Sequence, residues 1–243
     1  MLRSQAPSRR AFRSGRTAMS TFDRQYFERD SSYAAKGGYG TIIDDVKRFY
    51  AQYFRLAAEV APEVARGAGK KALEVGCAFG VGIEQLRGWE YDAYGTDVSE
   101  YAIDQARRLY GDEQHFAVAD AQVANPFGIG FDLVVAIHVV EHLRDIAAAV
   151  HALADALAAG GHLLLATPNP RSLSPYRRFQ RDPTHVNEHA PSVWAAMLEK
   201  NSLRILSCKT FHLIPFVHRW TGLKYVATPE WLGYDAIIVA RRD

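Results

Sequence analysis

Residues 72–82, Ala72-Leu73-Glu74-Val75-Gly76-Cys77-Ala78-Phe79-Gly80-Val81-Gly82, form an apolar run that ends in an acid, then a glycine-bearing loop, then the start of a helical segment. A strand, loop and helix of this kind lets backbone approach a ligand closely, because glycine has no Cβ and tolerates positive φ. The loop is not a phosphate cradle, since no Gly-Lys-Ser/Thr follows. It is not the dinucleotide pattern either: counted from Gly76, glycines fall at the fifth and seventh places, and Ala78 occupies the third. The acid at Glu74 suits a ligand that carries positive charge and would repel a pyrophosphate.

Four further segments supply the rest of a nucleotide site. Tyr91–Asp97 (YDAYGTD) reads as a second strand. Asp97 closes it about 20 residues after Gly76, where an acid binds ribose hydroxyls in a βαβ site. Val98 follows, and Ser99 is placed to cap the next helix. His115–Asp120 (HFAVAD) ends in another acid, next to Ala121. Phe131–Ile137 (FDLVVAI) runs into His138-Val139-Val140-Glu141-His142-Leu143, and residues 160–170 (GGHLLLATPNP) read as a fifth strand with its exit loop. Alternating strands and helices predict an α/β fold, a mostly parallel sheet covered on both faces. Ligands of such sheets bind at the carboxyl ends of the strands.

The pattern E-x-G-x-x-x-G with these successive acids resembles the class I S-adenosylmethionine-dependent methyltransferases, over most of the chain from about Ile42 onward; Ala78 stands where many members have glycine. The resemblance implies a Rossmann-like seven-stranded sheet closed by a C-terminal antiparallel hairpin, here Leu203–Leu213 and Ala236–Ala240. It also implies S-adenosylmethionine as cofactor, with Glu74, Gly76, Cys77 and Gly80 on the methionyl part, Asp97 and Val98 on the ribose, Asp120 and Ala121 on the adenine, and Ile137 and His138 lining the transfer end. An NAD-dependent Rossmann oxidoreductase is the alternative, which the glycine spacing disfavours. A catalytically silent cofactor-binding subunit is a third.

Methyl transfer to a hydroxyl needs a base or a metal to remove the proton. Histidine suits the first role, with an unperturbed pKa of about 6.5. Of nine histidines, His138, His142, His185 and His189 sit in segments expected at the active edge. His138, His142 and His185 are the candidate catalytic residues. His138, Glu141 and His142 share one face of a helical turn. Glu-His-Leu, then Thr167-Pro168-Asn169, then His185 resembles the small-RNA 2′-O-methyltransferases, whose carboxylates and histidines bind a divalent metal, and the ubiquinone-pathway O-methyltransferases share a related arrangement. His138 replaces the first glutamate of that set. Glu141, His142 and His185 are therefore candidate metal ligands, set against a metal-free reading in which Glu141 and His142 hold the loop and a histidine is the base. The metal-free reading is favoured.

At 243 residues, with 48% hydrophobic and 23% charged residues, composition is that of a globular domain. No apolar run reaches the roughly 18 residues that span a bilayer. Two cysteines make no disulfide framework, which points to a cytoplasmic setting. Residues 1–18 carry Arg3, Arg9, Arg10, Arg13 and Arg16 and no acid, leaving −3 of the formal +2 for the rest. They read as a disordered basic arm, so the body has no nucleic-acid footprint and neither DNA nor RNA is the expected partner. Residues 19–70 read as an N-terminal helical cap and 71–243 as the methyltransferase domain. Helical spacing over Ile42–Val60 suits a helix packed on the sheet's rim or, with Tyr33 and the Gly37–Gly40 turn, a lid. Arg171–Pro191, with Arg177, Arg178 and Arg181, is long enough to be a lid or binding loop. Residues 215–233 carry Phe216, Trp220, Tyr225 and Trp231, which suits stacking on a sugar or a hydrophobic acceptor, or equally closing the end of the core. A small-molecule, saccharide or lipid-linked acceptor is expected, with the acceptor's identity and the oligomeric state left open.

Overall fold

In a computed structural model, residues 21–30, 37–123, 125–175, 182–213 and 225–243 are described. The arm, Tyr33, Arg177, Arg178, Arg181, Phe216, His218 and Trp220 lie outside them. The N-terminal part holds a π-helical turn, Tyr26–Asp30, a 3-10 turn, Tyr39–Ile42, and helix α1, Ile43–Val60. There follow β1 (Lys71–Val75), α2 (Val81–Gly88), β2 (Asp92–Asp97), α3 (Glu100–Tyr110), β3 (Phe116–Val118) and β4 (Phe131–Ile137). The second half holds α4 (Ile146–Ala156), β5 (Leu157–Pro168), α5 (Pro191–Lys200), β6 (Leu203–Leu213), β7 (Tyr225–Thr228) and β8 (Asp235–Arg242). The Ser99 cap forms as expected, its Oγ accepting from the Ala102 N–H, and Asp145 Oδ1 accepts in the same way from the Ala148 N–H.

The strands make one sheet in the order β3-β2-β1-β4-β5-β8-β6-β7. Pairs β2–β3, β1–β2, β1–β4 and β4–β5 are parallel, and β5–β8, β6–β8 and β6–β7 are antiparallel. The mostly parallel sheet with its antiparallel C-terminal part matches expectation, but among the described residues it has eight strands rather than seven. The eighth is β7, within a stretch that reads from sequence as an aromatic connector; its Tyr-Val-Ala-Thr run has the β-branched and aromatic residues that suit an edge strand.

Because β4 is buried on both faces, its side chains divide between two cores. Leu133, Val135 and Ile137 pack with Tyr53 and Phe54 of α1, Ile83 and Leu86 of α2 and Ile103 of α3. Val134 and Ala136 pack with Val150 and Leu153 of α4 and Trp194 and Leu198 of α5. Near-continuous apolar strands are what a sheet covered on both sides requires. Strand order reverses between β1 and β4, which opens a crevice at their carboxyl ends. Since β8 runs antiparallel, its first residue, Asp235, lies opposite Pro168 at that same edge. No helix among the described residues is long and apolar enough to cross a membrane.

Candidate active site

The loop after β1 takes a left-handed course, with φ of +68° at Gly76, +46° at Ala78 and +82° at Gly80. A Cβ on Gly76 would lie 2.3 Å from a Val139 methyl, so the loops after β1 and β4 meet where only glycine fits. Ala78 adopts a conformation that costs an L-residue about 1–2 kcal/mol. Asp97 secures the turn: Oδ2 accepts from the Ala78 N–H at 2.9 Å and Oδ1 from the Ser99 N–H at 2.8 Å. Burial raises the Asp97 pKa to about 6, against the pull of these N–H groups. Val98 is half-buried between Asp97 and Ser99, and Ile137 is buried at the end of β4.

Glu74 sits under Gly82, whose Cβ would lie 2.4 Å from a carboxylate oxygen. The Gly82 and Ile83 N–H groups face it, yet neither oxygen has a hydrogen bond of normal geometry. Burial drives its pKa well above the usual carboxylate range. Cys77 is buried beside it, its thiol pushed up by burial and by Glu74 and Asp97. Asp120 accepts from Gln122 through its backbone and side-chain nitrogens, and with Ala121, Val75, Thr96 and Leu153 bounds a small cavity beside β1. A glycine turn that a Cβ would fill, an orphaned buried acid beneath it and an acid closing β2 fit a ligand with a cationic end and a vicinal diol. The residues present fit S-adenosylmethionine. A separate cavity between α5, β6 and β7, around Pro191, Cys208 and Thr228, is lined by none of these groups.

His138 follows β4 with φ +55°, and its N–H donates to the Ala166 carbonyl at 2.8 Å. Its Nδ1 lies 3.1 Å from Glu141 Oε1 and its Nε2 3.0 Å from Tyr53 Oη. The Tyr53 hydroxyl donates to Asp235 Oδ2 at 2.9 Å. Burial alone would lower the His138 pKa, but Asp235 and Glu141 outweigh it and hold it near 9, with a third of the side chain still exposed. Both ring nitrogens thus have a partner within hydrogen-bond distance. Glu141 is fully buried; burial opposes its ionisation, and His138 and His142 overcome that and hold it below the usual range.

Glu141, His142 and His185 come together, with one potential ligand atom from each lying within 4.8 Å of the others. The two imidazoles pack edge to face at 4.7 Å between centroids. Their Nδ1 atoms are taken, His142 by Thr184 Oγ1 at 2.9 Å and His185 by Glu188 Oε1 at 3.0 Å, which leaves each Nε2 for a ligand or a proton. Burial lowers the His142 pKa. His138 touches Glu141 but is not grouped with the two imidazoles, so the cluster among the described residues has three potential ligands without it. Two imidazoles and a carboxylate still suit Zn, Mn or Fe(II) better than Mg.

The remaining candidates are placed elsewhere. His189 packs on Trp194, and Asn169 ties residues 229–233 through Nδ2 to the Glu230 and Gly233 carbonyls at 2.6 and 2.7 Å. The helix α1 packs on the sheet. The cover over the glycine loop is aromatic, with Phe27 and Tyr39 on Phe79, and Phe22 edge-on to His142 at 5.4 Å. Tyr53, Asp235, Thr184 and Phe22 escape the sequence reading. Thr184 lies in the Arg171–Pro191 loop and Tyr53 in the Ile42–Val60 helix, both of which that reading singles out without giving either residue a role.

A family model described as "Methyltransferase domain" matches residues 45–207. A Mycobacterium tuberculosis protein named "Probable S-adenosylmethionine-dependent methyltransferase" is 27% identical over 178 residues, 72% of this chain and 64% of that protein. A ubiquinone biosynthesis O-methyltransferase of Alkalilimnicola ehrlichii is 34% identical over 111 residues, 43% of this chain and 44% of that one. The chain thus spans less than two thirds of the length of these curated relatives. A solved S-adenosylmethionine-dependent methyltransferase from Archaeoglobus fulgidus superposes with a TM-score of 0.61 at 18% identity, covering 86% of this chain and 97% of that one, a likeness of fold.

Proposed function

We propose, because this chain belongs to the class I S-adenosylmethionine-dependent methyltransferases, that it transfers a methyl group from S-adenosylmethionine to an oxygen of a small-molecule, saccharide or lipid-linked acceptor. The observation that carries the reading is the closure of the glycine turn by Asp97 at the point where strand order reverses. S-adenosylmethionine, when bound, supplies an activated methyl group on a sulfonium. The chain aligns the acceptor and excludes water. Glu74, Gly76, Cys77 and Gly80 hold the methionyl end, with Glu74 acting through charge and the loop above it. Asp97 and Val98 take the ribose, Asp120 and Ala121 the adenine, and Ile137 and His138 line the transfer end. His185 is the base, through its uncommitted Nε2, with His142 beside it; His138, partnered at both nitrogens, is a wall of the site. Oxygen as the target is supported by the histidine pair and by the partial likeness to a ubiquinone biosynthesis O-methyltransferase.

Calorimetry with S-adenosylhomocysteine and with NAD tests the reading. S-adenosylhomocysteine should bind and NAD should not, and Asp97→Ala should weaken the former by about 2–4 kcal/mol. Binding of NAD alone would establish the oxidoreductase alternative, and binding without transfer to any of a panel of hydroxyl acceptors would favour a silent subunit.

The clustering of Glu141, His142 and His185 favours a second reading, in which they hold a divalent metal that lowers the acceptor hydroxyl's pKa. Thr184 and Glu188, each on the Nδ1 of a ligating histidine, then serve as the outer partners that orient metal-bound imidazoles. Metal analysis of purified protein together with chelator-sensitive turnover would establish it.

A further inference from the structure

His138 is a bulky residue in a left-handed backbone conformation, which persists only where surrounding contacts over-determine it. Its tethers come from four parts of the chain: Ala166 on β5, Glu141 in the turn after β4, Tyr53 on α1 and Asp235 at the start of β8. His138 Nε2 and Asp235 Oδ1 are 3.7 Å apart, too far for a hydrogen bond, and the Tyr53 hydroxyl fills the gap, accepting from the ring and donating to Asp235 Oδ2. Tyr53 is 2% exposed and Asp235 1%. The Tyr53 ring belongs to the apolar core beside Phe54, where phenylalanine would pack as well; its hydroxyl is spent on this bridge.

We propose that Tyr53 and Asp235 are positioning residues for His138, with the Tyr53 hydroxyl, fixed on the Asp235 carboxylate, setting the plane of the imidazole at the mouth of the transfer crevice. The assignment deepens the methyltransferase reading and rests on His138 lining the transfer end. Neither residue touches the crevice chemistry directly; each acts through the ring. Without the hydroxyl the imidazole loses its Nε2 partner and swings toward Asp235 to close the gap, on a backbone that Ala166 still holds and against the contact of Nδ1 with Glu141. The N-terminal segment before β1 thereby contributes to the geometry of the site as well as covering it.

The test uses the full chain labelled with [15N]histidine. In the wild type, the proton on His138 Nε2 should show a nuclear Overhauser contact to the Tyr53 ring; its absence would overturn the proposal, even if no variant folds. In Tyr53→Phe and Asp235→Asn, the His138 ring nitrogen resonances should shift, Nε2 most, while those of His142 and His185 stay in place. A purely structural role would lower the melting temperature and leave the His138 resonances unmoved, and that result would also overturn it. S-adenosylhomocysteine added to the wild type separates the two claims. If it fails to bind while the contact is present, the functional reading fails and the positioning of His138 stands.

Discussion

The two halves of the sheet's active edge are held in different ways. On the side of β3, β2, β1 and β4, the site is built from neighbours in sequence. Asp97 bonds to Ser99 two residues on and Ala78 nineteen back, and glycines shape the turn. On the side of β5, β8, β6 and β7, contacts bridge long stretches of chain. Tyr53 meets Asp235 across 182 positions, Asn169 meets Gly233 across 64, and Thr184 meets His142 across 42. The first half is a local motif repeated along parallel strands. The second exists only when remote segments meet, so small sequence changes can re-form it around a new acceptor while the cofactor half is left alone.

The largest expected effect tests the second half. On the metal-free reading, His185→Ala should slow turnover by roughly 10²–10⁴, the usual worth of one general base, with S-adenosylhomocysteine affinity unchanged. If dialysis against a chelator abolishes turnover just as fully, and Zn, Mn or Fe(II) restores it, the metal reading replaces it. Loss of cofactor affinity in this variant would show that the halves are not separable.

Next comes the turn of the first half. Gly76→Ala forces a methyl against Val139 and holds alanine at a φ of +68°, and should cost about 2–4 kcal/mol in denaturant unfolding. A loss below about 0.5 kcal/mol, the range of an ordinary surface change, would mean that the two loops are not in contact.

A smaller effect concerns pH. Asp97 has a folded pKa of about 6, raised above its usual 3.8 by burial. Its ionisation therefore works against the ligand-free fold: the stability tied to its proton is fully present below about pH 4 and is lost as pH rises through 6. Cofactor binding reverses the preference, because ribose hydroxyls donate to the charged form. S-adenosylhomocysteine affinity should be about tenfold weaker at pH 5 than at pH 7, one pKa unit being a factor of ten. A flat calorimetric profile in the wild type, or an unaltered slope in Asp97→Asn, would remove Asp97 from the ribose site.

The smallest is a gain. Ala78→Gly relieves the left-handed strain at φ +46° and should stabilise the fold by about 1 kcal/mol, offset in part by the greater freedom of glycine in the unfolded chain. A measured loss would mean that the Ala78 methyl packs usefully against the aromatic cover.

Much of the architecture was legible in the residues. Strand β4 has the bounds its apolar run predicts, and α1 and the cap at Ser99 follow from helical spacing and side-chain chemistry. Glu141, His142 and His185 were candidate metal ligands on the reading that was not favoured, and the fold places one potential ligand atom of each within 4.8 Å of the others. Strand β7 was missed because four residues beyond an aromatic stretch carry little periodicity of their own, and pairing with β6 is what makes them a strand. His138 was expected to offer a base and is instead engaged at both nitrogens, because its partners arrive from α1 and β8.

The sequence by itself determined the cofactor half: the succession of strands and helices along the chain, the acids at the strands' carboxyl ends and the glycines where backbone must turn left-handed. Those features depend on residues a few places apart, and steric and hydrogen-bonding rules act at that range. Only the tertiary structure decided what surrounds His138. Asp235 opens a strand, where no rule about strand ends would look for a functional acid. It reaches the active edge because β8 runs antiparallel to β5. Tyr53 reads as one more apolar position on an amphipathic helix until folding sets its hydroxyl between that acid and the imidazole. Hydrogen bonds between groups so far apart in the chain are set by the sheet's topology, which no local pattern of residues encodes.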